Sequence, residues 1–378
     1  MTRHWALNGR FLGQSRTGVQ RYAWEILHEL DRHLAERHGL ADQLAIDLVV
    51  PPDVEALPRL HAIRTCRTSA GRGHLWEQAV LPLHARNGLI SLTNTGPLLV
   101  RKHILCIHDL NTRSFPQSYS RSFRWLYRLL MPALGRSART VTTVSHYSAG
   151  QLAAHGVCRR DKIIVVPNGH EHVRQWTPQH TEASAKLAGR DTIVLIGSPA
   201  PHKNVGIVLS LAGRLEAAGL RVALVGHADP GVFRGAGASH AANVHHLGRL
   251  PDPALAALLR DGLCLAFPSF VEGFGLPPLE AMAVGCPVVT SDRTSLPEVC
   301  ESAALYASPD DPEAWFNSLL QLRHDPALRD ALVARGRAQA MRFTWSRSAL
   351  LYLHTMAVAD GWAGERVADA SPLRCGVG

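Results

Sequence analysis

The chain has 378 residues, of which 46% are hydrophobic, and its formal net charge is +9. This length favours two domains over a single core, and the hydrophobic content argues against disorder. The first residues, MTRHWALNGRF, lack the apolar core of a signal peptide, and no apolar run is long enough to span a membrane, so we expect a cytoplasmic protein. No recognition signature for nucleic acid accompanies the basic charge, so we expect no nucleic-acid partner.

Short apolar strands alternate with longer helical patterns, and this alternation occurs twice along the chain. Continuous apolar and β-branched runs between helices are typical of parallel strands that are covered on both faces. The sequence therefore predicts an α/β fold of two doubly wound, Rossmann-like domains that face a central cleft. The predicted strands cover residues 45–50, 88–94, 103–109, 140–145 and 162–169 in the first set and 192–198, 221–227, 243–250, 263–269, 287–292 and 303–308 in the second.

A polar, proline-containing stretch at 170–190 separates the two sets of strands and predicts a linker. We expect an amino-terminal domain over 1–172 and a carboxy-terminal domain over 190–344. A final helix is expected over 345–360, followed over 361–378 by a tail rich in small residues that we expect to be flexible.

Two segments of the first domain contain candidate site residues. Residues 13–19 form a loop that runs into a helical pattern, with Thr17 as its cap. The amide of Gly18 could approach a phosphate there, although an ordinary strand-to-helix turn explains the loop equally well. His108 and Asp109 end a predicted strand, which places both at the cleft. His108 could bind a sugar, but a lone histidine more often has a structural role.

Residues 115–139 mix arginines with Phe123, Trp125, Tyr127 and Leu129. We favour an amphipathic helix that packs on its own domain with its arginines in water. The alternative is a helix that lies on an anionic bilayer, which would place the protein in peripheral contact with the cytoplasmic face of the inner membrane.

Lys203 lies in GSPAPHKNVG, the turn after the strand predicted at 192–198. A lysine there can bind phosphate oxygens and stabilise the negative charge that develops when a diphosphate leaves. His202 could help as a hydrogen-bond donor. A capping or solvated lysine is the alternative interpretation, and the spacing is not that of a Walker A loop.

Residues 268–292 read PSFVEGFGLPPLEAMAVGCPVVTSD and carry the most informative pattern. Glu272 follows a predicted strand, so its carboxylate can accept hydrogen bonds from sugar hydroxyls in the cleft. Glu280 follows two prolines near a predicted helix start, where it can accept from a ribose diol. A solvated loop glutamate and a carboxylate favoured by the helix dipole are the respective alternatives.

The turn between the two glutamates is a candidate anion site. A glycine turn that runs into a helix start offers backbone N–H groups to a phosphate. The candidate donors are the amides of Gly273, Phe274, Gly275 and Leu276. Together with the two glutamates, they predict a site for a nucleotide sugar.

Other chemistries lack their sequence signatures. No Asp-x-Asp pair follows a strand, and HExxH, nucleophile-elbow and GxGxxG motifs are missing, so we expect no metal and no nicotinamide cofactor. The seven cysteines show no metal or redox spacing and are expected to be reduced. The run His170-Glu171-His172 looks like a ligand set, but its place in the linker predicts solvated side chains.

These motifs together resemble retaining glycosyltransferase family 4, which has the GT-B fold and includes a mannosyltransferase-like branch. The resemblance covers nearly the whole chain, and the segment 268–292 is its most specific part. The other matching motifs are TGVQRY, CIHDLN, TVSHYS, VVPNG, GSPAPHKN, HHLGRLPDPALAALLRDG, SLPEV and FTW.

The resemblance implies a donor nucleotide on the carboxy-terminal domain and an acceptor mainly on the amino-terminal one. It also implies that the last helix crosses back onto the first domain. Glu272 and His108 would contact the donor sugar, Glu280 the ribose, and Lys203 and Gly18 the diphosphate. His108, Lys203 and Glu272 are the implied catalytic residues. The implied donor-binding set is Gly18, Ser198, His202, Lys203, Leu250, Glu272, Gly273, Phe274, Gly275, Leu276 and Glu280.

One position departs from the family pattern. Many members carry an arginine where this chain has Ser198, so the phosphate site has one cation fewer. His202 beside Lys203 resembles the Arg-Lys pair of the branch that often uses GDP-mannose, which suggests a GDP-hexose donor.

The function implied is metal-independent transfer of a hexose, with retention, from a nucleotide sugar to a glycan or a polyprenyl-diphosphate-linked acceptor in bacterial surface polysaccharide synthesis. Mannose or a related deoxyhexose from a GDP-sugar is the expected donor group. The alternatives are a UDP-sugar-dependent transferase of the same fold, a GT-B sugar-nucleotide epimerase, and a non-catalytic nucleotide-sugar-binding subunit.

Overall fold

A computed structural model of the chain describes residues 2–85, 87–198, 200–226 and 241–362. Its strands form two sheets in which every strand pairing is parallel. The seven-stranded sheet has the order β3-β2-β1-β4-β5-β6-β7, and the six-stranded sheet has the order β10-β9-β8-β11-β12-β13. The strands are β1 (Arg3–Asn8), β2 (Leu44–Val50), β3 (Arg64–Arg67), β4 (Leu89–Ser91), β5 (His103–Cys106), β6 (Thr140–Thr143), β7 (Ile163–Val165), β8 (Thr192–Ile196), β9 (Arg221–Val225), β10 (Val244–Gly248), β11 (Cys264–Phe267), β12 (Val288–Ser291) and β13 (Ala304–Ala307).

Helices connect the strands and complete the two domains. They are α1 (Gly18–Ala35), α2 (Gly73–Ala79), α3 (Leu81–His84), α4 (Asn111–Ser114), α5 (Arg121–Ser137), α6 (His146–Ala154), α7 (Glu182–Ala185), α8 (Val205–Leu209), α9 (Ala212–Ala217), α10 (Asp252–Asp261), α11 (Leu276–Val284), α12 (Leu296–Cys300), α13 (Pro312–His324), α14 (Pro326–Ala340) and α15 (Trp345–Ala359). Among the described residues, none of these helices combines the length and apolar character needed to span a membrane. Six cysteines lie in the described ranges, all as free thiols, and each except Cys66 is buried.

The predicted architecture of two doubly wound α/β domains is confirmed. Every predicted strand is present, although most are shorter than the sequence pattern suggested. Two strands were missed. The edge strand β3 is short and polar, whereas β1 lies in the middle of its sheet but carries Arg3 and His4 in place of an apolar run.

The polar residues of β1 have partners in distant parts of the chain, which explains how a central strand can hold them. The buried guanidinium of Arg3 donates to the carbonyl oxygen of Leu40 (2.6 Å), and the indole N–H of Trp5 donates to Asp360 (3.1 Å) at the end of α15. Because buried polar groups are costly only when unpaired, these contacts allow β1 to depart from an apolar pattern.

Helix α15 returns from the second domain and packs against α1 of the first. The hydroxyl groups of Tyr22 and Tyr352 are 3.0 Å apart in a buried cluster that joins the two helices, and Thr142 Oγ1 lies 2.8 Å from the hydroxyl of Tyr352. The chain thus crosses between the domains twice, once at the linker and once at α15. Most of the predicted tail over 361–378 lies outside the described residues.

Candidate functional site

A cavity of about 590 Å³ lies between the two domains. Elements of both sheets contribute to it at the carboxyl ends of their strands, the position at which open parallel sheets bind ligands. Ten predicted site residues line this cavity: Gly18, His108, Lys203, Leu250, Glu272, Gly273, Phe274, Gly275, Leu276 and Glu280. Ser198 and His202 are not among its lining residues.

Glu272 and Lys203 are in direct contact in the part of the cavity that we call the lysine end. Lys203 Nζ donates to Glu272 Oε1 at 2.7 Å, and the two side chains are mostly shielded from solvent. Lys203 follows β8 in a short 3-10 helix, Pro201–Lys203, and Glu272 follows β11. In such a pair, the cation can bind an anionic group and the carboxylate can accept hydrogen bonds from a neighbouring polyol.

The backbone around Glu272 is held by several hydroxyl groups. The amide of Glu272 donates to Thr294 Oγ1 (3.1 Å), and its carbonyl oxygen accepts from Ser295 Oγ (3.0 Å). The carbonyl oxygen of Gly273 accepts from Ser145 Oγ (2.7 Å) and Ser148 Oγ (3.1 Å) of the first domain. This loop is therefore fixed by both domains.

Gly273 and Gly275 are needed in the turn for different structural reasons. A Cβ at Gly273 would lie 2.8 Å from the carbonyl oxygen of His108, so the missing side chain allows the domains to approach closely. Gly275 precedes α11 with a φ of +99°, a region that other residues rarely adopt. The close approach at Gly273 is therefore made to the first domain, and a role of the turn's amides in phosphate binding stays a prediction.

Glu280 lines the cavity from α11, and we call the region around it the helix end. It is in the second turn of α11, and its side chain is largely buried. Its Oε1 lies 2.9 Å from His172 Nε2. The Nδ1 atom of the same ring accepts from the indole N–H of Trp345 at 2.9 Å.

The prediction of solvated side chains for His170-Glu171-His172 is wrong. His170 and His172 are buried, and Glu171 accepts a hydrogen bond from the amide of Trp345 at 2.7 Å. The linker folds into a 3-10 helix, Glu171–Gln175, against α11 and the start of α15. Polar composition suggested exposure, but here the polar groups have buried partners.

Arg21 extends from the first domain to the helix end of the cavity. It projects from α1, and its guanidinium donates to Asp252 of the second domain at 2.8 Å. Its Nε also lies 3.8 Å from Glu280 Oε1, and the guanidinium carbon is 5.5 Å from the centre of the Trp176 ring. Arg21 was not predicted as a site residue, although it stands in the TGVQRY motif.

His108 and Asp109 face the second domain from the end of β5. His108 Nε2 lies 2.8 Å from the carbonyl oxygen of Leu92, so that nitrogen must carry the proton and is already paired. Asp109 Oδ1 accepts from the amide of Asn111 (2.9 Å), and burial raises the pKa of the Asp109 carboxyl group. A contact between His108 and a sugar stays a prediction.

His202 lies at the contact between the domains. Its Nδ1 is 3.0 Å from Ser118 Oγ of the first domain, and its ring is buried. Burial, together with the adjacent Lys203 ammonium group, lowers the pKa of His202. Ser198 Oγ accepts from the amide of Ala200 at 3.4 Å. The donor-binding roles of His202 and Ser198 stay predictions.

Cationic groups from both domains line the cavity. Helix α1 begins at Gly18 with Thr17 at its cap position, and its first turn carries no acidic residue that would offset the positive end of its dipole. Arg16 and Arg249 also line the cavity, and neither was predicted. Their sequence signal is weak because an exposed arginine beside a glycine turn is common.

The cavity can therefore receive a ligand that has both an anionic group and hydroxyl groups. Cations and a helix start line it, together with the carboxylates of Glu272 and Glu280. Such a ligand is what a sugar joined through a diphosphate to a nucleoside would present.

Comparisons with known proteins agree with this geometry. A family model described as "Glycosyl transferases group 1" matches residues 177–339, and one described as "Glycosyl transferase 4-like domain" matches residues 17–169. The chain is 29% identical to the O-antigen chain mannosyltransferase B of Escherichia coli, over 87% of this chain and 93% of that protein. It is 23% identical to the O-antigen chain mannosyltransferase RfbU of Salmonella typhimurium, over 83% of this chain and 90% of that protein.

A solved structure has the same fold. The sucrose-phosphate synthase of Thermosynechococcus elongatus superposes with a TM-score of 0.73 at 19% identity, covering 96% of this chain and all of that one. At this identity the likeness establishes the two-domain architecture alone.

Proposed function

The chain belongs to the group 1 glycosyltransferases of the GT-B fold, and we propose that it is a retaining hexosyltransferase of bacterial surface polysaccharide synthesis. The donor is a GDP-sugar that carries mannose or a related deoxyhexose, and the acceptor is a glycan or a polyprenyl-diphosphate-linked oligosaccharide. The observation that carries this proposal is the interdomain cavity that is lined by the paired Glu272 and Lys203 and, from α11, by Glu280.

In this proposal each end of the cavity binds one part of the donor. Glu280 accepts hydrogen bonds from the ribose, and Glu272 accepts them from the hexose. Lys203 and the amide of Gly18 stabilise the diphosphate from opposite domains. Because charge builds on the leaving phosphate in the transition state, a preorganised ammonium group lowers the barrier more than it strengthens ground-state binding.

The acceptor hydroxyl attacks the anomeric carbon on the face from which the diphosphate departs. The bond between that carbon and the bridging phosphate oxygen breaks as the new glycosidic bond forms, and the leaving phosphate takes the acceptor proton. This route uses no nucleophile of the protein. Ser145 and Ser148 hold the Gly273 backbone against the first domain. In this proposal that contact limits the access of water, which would otherwise hydrolyse the donor.

Two observations support mannose and GDP over other donor groups. The relatives described above include two O-antigen mannosyltransferases. His202 stands beside Lys203, in the position of the Arg-Lys pair noted above for the GDP-mannose branch. We further propose that transfer needs no metal, since a lysine and backbone amides bind the diphosphate.

A lipid-linked acceptor would bring the protein to the membrane surface, and α5 offers a contact for it. The carboxy-terminal part of this helix packs through Met131 and Leu134 on its own domain. Its amino-terminal part exposes Trp125 by 69%, among exposed arginines. The favoured interpretation of a helix packed on its own domain therefore describes only half of α5, and membrane contact of the other half is part of this proposal.

The first experiment is a thermal-shift screen of the purified protein against GDP, UDP, ADP and their sugar derivatives. We expect GDP and GDP-mannose to raise the unfolding temperature most. The protein is then incubated with GDP-mannose alone and with a synthetic polyprenyl-diphosphate oligosaccharide. Transfer that depends on the acceptor supports the proposal. An epimerised nucleotide sugar without acceptor, or no response to any nucleotide, would overturn it.

A further inference from the structure

His172 joins three elements behind the helix end of the cavity. It belongs to the linker and is 3% exposed. Its Nε2 lies 2.9 Å from Glu280 Oε1 of α11, and its Nδ1 lies 2.9 Å from the indole nitrogen of Trp345, the first residue of α15. The ring also packs edge-on against Trp176, with centroids 5.4 Å apart.

The partners of His172 determine its tautomer. An indole N–H can only donate, so Nδ1 of His172 must accept and carries no proton. The proton of the neutral imidazole is therefore on Nε2, which donates to Glu280 Oε1. A chain of two hydrogen bonds thus runs from Trp345 through His172 to the carboxylate, and both ring nitrogens are used.

This chain of hydrogen bonds engages one carboxylate oxygen of Glu280, Oε1, and does not engage the other, Oε2. Oε1 has His172 at 2.9 Å and the Arg21 Nε at 3.8 Å. The residues that the structure describes provide no hydrogen-bond partner for Oε2. Glu280 lines the cavity, so an anchored carboxylate with one unshared oxygen is oriented toward whatever binds at the helix end.

We propose that His172 is a positioning residue for nucleotide recognition: it holds Glu280 in the rotamer that accepts hydrogen bonds from the ribose diol. The identity of the ligand rests on the proposed function. Without His172, the nearest donor to this carboxylate is Arg21, which extends from the opposite domain. Glu280 would then turn toward that cation and lose its alignment with the ribose.

The test compares the affinities of the full chain for GDP and 2′,3′-dideoxy-GDP by titration calorimetry. Wild type is expected to prefer GDP by about tenfold or more, the effect of hydrogen bonds to a carboxylate. His172→Phe should reduce this preference to about twofold. His172→Gln, which keeps an N–H near the Nε2 position, should restore most of it.

His170→Phe is the matched control. His170 is a buried histidine of the same linker, but its Nδ1 is paired with the carbonyl oxygen of Phe343 (2.8 Å), and it does not line the cavity. Its removal should leave the preference unchanged. A ratio of two affinities for one variant is insensitive to a general loss of stability, so a merely structural role of His172 would not alter it.

A second variant keeps the test informative if His172→Phe does not fold. Trp345→Phe keeps an aromatic ring but removes the N–H that sets the tautomer, and it should lower the preference for GDP at least threefold. An unchanged preference in His172→Phe, or in Trp345→Phe if His172→Phe does not fold, would overturn the inference, as would a wild type that does not distinguish the two nucleotides. The readout does not involve sugar transfer, so a protein that shows these preferences but transfers no hexose would refute the proposed function and leave this inference intact.

Discussion

Glu272 and Glu280 line the same cavity, but their neighbours hold them by different means. At the lysine end, the Glu272 carboxylate is paired with a charged group that also lines the cavity, Lys203. At the helix end, Glu280 is paired with a histidine that does not line it, and this histidine is backed by Trp345. The hydrogen-bond partner of Glu272 therefore lines the cavity, whereas the hydrogen-bond partner of Glu280 does not.

This difference suggests that the two ends have different functional roles. A neutral hydrogen-bond chain outside the cavity can keep Glu280 in place whether or not a ligand binds, which suits recognition of a constant part of the donor. In the proposed function, the contact between Lys203 and Glu272 loosens when both groups bind the donor, which suits the part where bonds change. We therefore expect variants at the lysine end to change the rate of transfer and the binding of the hexose, and variants at the helix end to change the affinity for the nucleotide.

The largest effect is expected for Lys203→Ala. Loss of one preorganised charge at the leaving group should lower kcat by about a hundredfold to a thousandfold, while the affinity for GDP falls much less. Initial rates of acceptor glycosylation and calorimetric titration measure the two quantities. A variant that keeps its rate but loses GDP binding would reverse the assignment of the two ends.

Gly273→Ala tests how the lysine end is closed. The new methyl group would lie 2.8 Å from the carbonyl oxygen of His108, so we expect the free energy of unfolding to fall by about 1–3 kcal/mol and transfer to slow. Gly150→Ala in α6 is the control, because nothing lies within 4 Å of its Cβ, and it should stabilise the protein by up to about 1 kcal/mol. Equal stability of the two variants in denaturant unfolding would contradict the close contact at Gly273.

Glu298→Ala should have a smaller effect at the same end. The Glu298 carboxylate of the second domain accepts hydrogen bonds from the amides of His146 (2.8 Å) and Tyr147 (3.1 Å) at the start of α6. Losing this cap should cost about 1 kcal/mol in unfolding free energy. Glu182→Ala removes an exposed glutamate and should cost less than about 0.5 kcal/mol. A cost for Glu298→Ala no larger than that of the control would show that α6 does not depend on the second domain.

The smallest effect, none at all, is expected from chelation. If lysine and amides serve the diphosphate, EDTA should leave the initial rate unchanged at saturating donor. Activity that EDTA abolishes and an added divalent cation restores would contradict the metal-independent mechanism. It would indicate that a metal ion acts at the lysine end.

The sequence predicted the fold and ten of the residues that line the cavity because these depend on local patterns. Strands such as β8 and β11 are continuous apolar runs, and Glu272 and Glu280 flank a glycine turn whose position after a strand is readable. The central strand β1 was missed because Arg3 has partners far away in the chain, which no local pattern reveals.

The neighbours that orient the site could not be read from local patterns. His172 looked solvated, yet its partners lie 108 and 173 residues further along the chain. Arg21 reaches Asp252 and the region of Glu280 only because the two domains face each other. Long-range pairing of polar groups decides these contacts, and single-sequence periodicity carries no information about it.

Titration of Glu272→Ala and Glu280→Ala with both GDP and GDP-mannose separates the roles of the two glutamates. We predict that Glu280→Ala weakens binding of both ligands equally, by about 1–3 kcal/mol, since both contain the ribose. Glu272→Ala should weaken binding of GDP-mannose and leave that of GDP unchanged. Equal losses for both ligands in Glu272→Ala, or no loss in Glu280→Ala, would contradict the placement of hexose and ribose at opposite ends of one cavity.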